Sequence, residues 1–316
     1  MSEKVTTLPP VQPSAALTDA YSKELTDLVR KMHKSVLYKR RYEDDIKVAT
    51  DENIIPPPRN AKDRRRKRKD MKKRRKISAP RVLQEELDRL MNRWEKRWNE
   101  AAKRLSEAYV DKTNTYTRNA LYEQLKEIGF TVKGADLTPE LKAVLESAVI
   151  EQASLIRSIP SQYHTEIAGM VQRAFQSGRD VKQLSDELRQ RYEVTSRRAY
   201  LIARDQMNKA TDVISRTRVM NLGITEGIWM HRAAGSKTFR KRHVEFDGER
   251  FDLAKGMYDD TKGVERYVHP GELPYCFVEG TKVNASPYIQ RITKRYYSRN
   301  VQTITLLDGG ITLKRT

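Results

Sequence analysis

The chain has 316 residues, one cysteine, and 62 Lys and Arg against 42 Asp and Glu, a formal charge of +20. A single thiol excludes an internal disulfide framework and the paired cysteines of a zinc ribbon, and no apolar run approaches the roughly 20 residues that span a bilayer. The amino-terminal "MSEKVTTLPPVQPSAALTDAY" also lacks a charged-then-apolar leader, so a soluble protein of a reducing compartment is expected, with no membrane contact and about two domains.

Residues 1–14 carry Pro9, Pro10 and Pro13 and read as an unstructured arm. Over 15–40, Leu17, Tyr21, Leu25, Leu28 and Met32 fall at three- and four-residue steps, which predicts a helix. Pro56, Pro57 and Pro58 then break the chain. Residues 59–76, "RNAKDRRRKRKDMKKRRK", follow with 13 basic and two acidic residues, so more than half of the excess charge sits in this stretch. Arg64, Arg65, Arg66, Lys67, Arg68, Lys69, Lys72, Lys73, Arg74, Arg75 and Lys76 are the candidate phosphate contacts. Such a run is expected to bind duplex DNA through counterion release, and without aromatics, Asn or Gln among these eleven, sequence-independent contact is the expected mode. A nuclear-localisation signal and a solvated tail have similar composition.

From Pro80 onward Leu83, Leu87, Leu90, Trp94, Trp98, Ala102, Leu105 and Tyr109 form one apolar stripe, predicting a long helix. Its two tryptophans are candidate anchors for a partner. Separate helices are expected over 117–128 and 139–157, the latter capped by Thr138 with Pro139 at its first position. Three more follow: 158–178 ending at Gly178, a short one over 181–192, and one capped at Thr195 or Ser196 that runs to Gly223. Within the last, Arg204 and Asp205 are either a half-buried anchor or part of a solvated face.

After Gly223 the pattern shortens, with more aromatics and glycine, and predicts a small α+β unit. His243 and Asp247 lie four apart. The plain reading is an Asp247-Gly248 turn held by His243, and the sharper one a metal or catalytic set completed by His231, His269 and Cys276. No Gly-rich phosphate loop or catalytic serine signature is present, so neither an enzyme nor a cofactor is expected. Two alternating runs around Asp308-Gly309-Gly310 predict a hairpin. The expected fold class is α+β, divided as an arm with a helix and the basic run (1–79), a helical domain (80–223), a small α+β module (224–276) and a partial β segment (277–316).

Taken in order, Arg198, Ala199, Ile202, Ala203, Arg204, Gly223, Ile224, Trp229, Arg240, His243, Asp247, Gly248, Pro270, Gly271 and Cys276 resemble the motif series of the minor head (head-morphogenesis) proteins of tailed bacteriophages, typified by protein F of phage Mu. The resemblance covers residues 85–276. It implies a few copies inside the procapsid, contact with the portal protein and with major capsid or scaffold proteins, and a role in head assembly or in handling packaged double-stranded DNA. It places the chain in the capsid interior of the virion, assembled in the host cytoplasm. Two features depart from the series: "AAGSKTF" lacks an Asp before Arg240, and the closing Cys-Arg-Cys is Cys-Phe-Val here. "CFVEGTKV" resembles the first block of a Hint (intein-type) domain, in which the cysteine attacks the preceding carbonyl. The His-bearing block does not follow before residue 316, so Cys276 is expected to be no working nucleophile. A metal-dependent nuclease or an autoprocessing protein centred on His243, Asp247 and Cys276 is the alternative.

Overall fold

The structure is a computed structural model that describes residues 4–37, 79–127, 130–133, 137–176, 181–230, 240–273, 291–296, 303–305 and 312–315. It is mostly helical, with small antiparallel strand pairs, compatible with α+β. In chain order the elements are β1 (Lys4–Leu8), α1 (Ala15–Leu37), α2 (Ala79–Glu127), β2 (Phe130–Lys133), α3 (Pro139–Gln176), α4 (Val181–Asn221), β3 (Glu226–Ile228), α5 (Lys241–Glu245), β4 (Arg250–Asp252), β5 (Met257–Asp259), β6 (Arg266–Val268), β7 (Arg291–Tyr296), β8 (Thr303–Thr305) and β9 (Thr312–Arg315). No helix among the described residues is long and apolar enough to cross a membrane. The basic run 59–76, Pro56–Pro58, Gly178, His231, the Asp308-Gly310 turn and Cys276 lie outside the described residues.

Among the described residues, several helices that the sequence predicts as separate are continuous. Residues 80–109 and 117–128 join in α2, a single helix of 49 residues. The join crosses Thr113 and Thr117, β-branched residues of low helix propensity. Thr113 is fully buried and its hydroxyl donates to the Tyr109 carbonyl at 2.7 Å, while Thr117 donates to Asn114 at 3.0 Å. Backbone acceptors inside the helix thus satisfy both hydroxyls, and the helix continues.

α3 likewise runs through Pro160. An interior proline costs about 3 kcal/mol through a lost hydrogen bond and a ring clash. Ile156, Ile159, Tyr163 and Ile167 on either side are all fully buried, and each such side chain contributes about 1.5–3 kcal/mol. Their burial outweighs the break.

In α4 the expected cap at Thr195 is an interior residue whose hydroxyl donates back to the Arg191 carbonyl at 2.8 Å, so 181–192 and 195–221 are one helix. Two ends do follow the sequence. The Thr138 hydroxyl accepts the Leu141 amide at 3.3 Å at the start of α3. After α4, Gly223 adopts φ +76° and its amide donates to the Met220 carbonyl at 2.8 Å, a left-handed C-terminal cap.

Compactness divides the chain into two units, each taking part of the long helices. The first comprises Met1–Tyr21, Leu105–Gln152 and Ala203–Thr316. Its larger sheet has the order β1-β7-β3-β4, antiparallel throughout. Residues 4–8, expected to be unstructured, are thus a strand, with Lys4 opposite Tyr296 and Leu8 opposite Ile292. The partner lies almost the whole chain away, and the prolines that suggested an arm begin only after the strand ends. A second sheet has the order β2-β9-β8, so 130–133, expected in a loop, is also a strand, and β8 and β9 pair as the alternating runs predict. β5 and β6 form a separate ribbon. One apolar cluster joins Leu8, Leu121, Leu125, Leu222, Trp229, Phe246, Phe251, Leu253 and Val268, and a smaller one joins Leu141, Ala210 and Ile214.

The second unit comprises Ser22–Arg104 and Ala153–Ile202. Its buried residues include Leu25, Met32, Leu87, Leu90, Trp94, Trp98, Ile156 and Tyr163. Trp98 is fully buried, and the Trp94 indole donates to the Ser35 hydroxyl at 2.6 Å. The α2 stripe therefore serves the interior, and its tryptophans are core residues rather than partner anchors. His33 is also interior: its Nδ1 lies 2.7 Å from the Tyr163 hydroxyl and its ring stacks on Tyr192 at 4.7 Å.

Candidate functional site

Trp229 follows β3 and is fully buried, and two further residues of the motif series, His243 and Gly248, meet it there. β3 approaches β4 closely because residue 227 is glycine: a Cβ there would lie 2.8 Å from Leu253 Cδ2 and 3.2 Å from Phe251 Cε1. The Trp229 amide donates to the Glu249 carbonyl and its carbonyl accepts the Gly248 amide, both at 2.8 Å. These bonds pin the turn at 246–249, where Gly248 takes φ +84°, a conformation that glycine adopts without a Cβ clash. The Asp247-Gly248 turn is as the sequence predicts.

His243 lies in α5, a single turn that packs its ring edge-on to Trp229 at 5.2 Å and alongside Phe246 at 6.1 Å. The carboxylate it meets is not Asp247, which is exposed, but Asp259 of β5: Nε2 and Oδ2 stand 3.4 Å apart, with the two side chains 1% and 0% exposed. Burial opposes ionisation of Asp259. The Thr261 hydroxyl and amide, then His243 and Arg240, outweigh it, and the carboxyl is held below its ordinary range. The Thr261 amide donates to Asp259 Oδ1 at 2.9 Å. The pair is a buried contact between α5 and the β5–β6 ribbon. Arg242 faces outward, paired with Glu245 at 2.7 Å and Asp260 at 3.1 Å.

Arg204 and Asp205 are both half-buried on α4. His269 is not gathered with His243. Its Nε2 meets the Leu253 carbonyl at 3.1 Å and its Nδ1 lies 3.4 Å from Glu272. Among the described residues, no group of three or more His, Cys, Asp or Glu side chains is placed to hold a metal ion.

The Pro270-Gly271 turn lies along α4. Gly271 takes φ +73°, and a Cβ there would sit 3.7 Å from that of Asp212. Beside it is a pocket of about 350 Å³, walled by Val144, Ala148, Ala210 and Val213 and lined by Glu151, Lys209, Asp212, Arg216, His269 and Glu272. Lys209 pairs with Glu151 at 2.7 Å, and the nearest approach of Arg216 to Asp212 is 3.9 Å. Burial pushes the Asp212 carboxyl up to about 6, although Arg216 and His269 favour its charged form. Burial also opposes ionisation of Glu272, but hydrogen bonds from His269 and Arg266 hold it down to about 2.

Sequence reasoning missed Asp259, Asp212 and Glu272. Asp259 stands next to Asp260, with nothing local to show which of the two turns inward. Asp212 follows a helical polar stretch that reads as surface. Glu272, within the Pro-Gly motif, was the one with a signal.

Residues 165–277 match the family model described as Phage Mu protein F like protein. The matched span takes in Arg204, Trp229, Arg240, His243, Asp247, Gly248 and Cys276, and it supports a phage head-morphogenesis family. An uncharacterised protein of Haemophilus influenzae is 28% identical over 134 residues, which cover 42% of this chain and 28% of that protein. No solved structure matches. The Hint-like reading of the segment from Cys276 finds no support in these matches.

Proposed function

We propose that the chain is a minor head protein that acts in phage head morphogenesis, as a structural component of the virion rather than as an enzyme. The observation that carries this reading is the family match over 165–277, which spans the ordered motif series from Arg198 to Cys276. The packing of the site agrees with it. Trp229 and His243, two residues of the motif, are buried together with Asp259, which suits a role in holding a small module in shape. In this proposal the module contacts the portal protein, and the basic run 59–76 contacts packaged DNA through its phosphates without reading sequence.

The test is to co-express the chain with the portal and major capsid proteins of the same phage genome and isolate the heads by sedimentation. The chain is expected in the head fraction and, without capsid protein, in complex with the portal. A chain absent from the heads would overturn the assignment. Its presence in heads without portal binding would retain the assignment and remove the portal as its partner.

A further inference from the structure

We draw no further inference here: the strongest candidate, the pocket of about 350 Å³ between the Val144–Glu151 stretch of α3, the Gln206–Arg216 stretch of α4 and the His269–Glu272 turn, is lined by acidic and basic side chains that face one another in near balance, and nothing in the structure shows what chemistry would fill it.

Discussion

Acidification probes the interior of the second unit through His33. Its ring is 6% exposed, stacked on Tyr192 and set against the Tyr163 hydroxyl, and burial lowers its pKa from 6.5 to about 4. The folded state therefore binds the proton less readily than the unfolded chain. The neutral ring's contribution is fully present above pH 6.5 and is lost as pH falls towards 4. With these two values, linkage gives a loss of about 1.4 kcal/mol by pH 5.5 and about 2.5 kcal/mol by pH 4.5. That is a substantial part of the 5–15 kcal/mol that holds a typical domain.

The comparison is between the wild-type chain and His33→Gln, which is polar, similar in size and unable to titrate. Both carry Trp229→Phe, so that fluorescence reports Trp94 and Trp98, which share the unit with His33. Urea unfolding at pH 7.5, 5.5 and 4.5 then isolates the histidine, because every other titrating group is common to both proteins. The gap between them should shift by about 2.5 kcal/mol from pH 7.5 to 4.5, with the wild type losing more. A gap constant to within about 0.5 kcal/mol would refute the claim that His33 is buried neutral.

Trp98→Ala should cost about 3–5 kcal/mol of stability in thermal or urea unfolding, because the side chain is fully buried; a loss below about 1 kcal/mol would restore it as a surface anchor. Gly227→Ala should cost about 1–3 kcal/mol by overpacking, with a red shift of Trp229 emission, since its Cβ would sit 2.8 Å from Leu253; unchanged stability and emission would contradict the close approach of β3 and β4. Asp259→Asn should cost about 1–3 kcal/mol by removing the carboxylate that faces His243; a loss within about 0.5 kcal/mol would take Asp259 out of that role. Duplex-DNA affinity, measured by anisotropy, should fall roughly 10³–10⁵-fold between 50 and 200 mM salt whatever the sequence, and deletion of 59–76 should remove most of it; unchanged binding in the deletion would place the DNA contact elsewhere.

The ordered motif from Arg198 to Cys276 was legible in the primary sequence, and so was the uneven charge, because both depend on residue identity and order. The same holds for the α2 stripe and for the Thr138 and Gly223 helix ends, which rest on local steric and hydrogen-bonding rules. The breaks expected between 109 and 117, at 157–158 and at Thr195 are all helix interior. Burial of the side chains around Pro160 outweighs the local preference there, and the hydroxyls of Thr113 and Thr195 bond back to carbonyls one turn earlier. Strand β1 depends on β7, and no window of residues around Lys4 contains that information. The substitution of Asp259 for Asp247 beside His243 is the clearest case. Spacing along a helix proposes the fourth residue, but α5 ends at Glu245 and the Gly248 turn carries Asp247 out to solvent. Which carboxylate entered the interior was settled by the path of the β5–β6 ribbon, which only the packed tertiary structure sets.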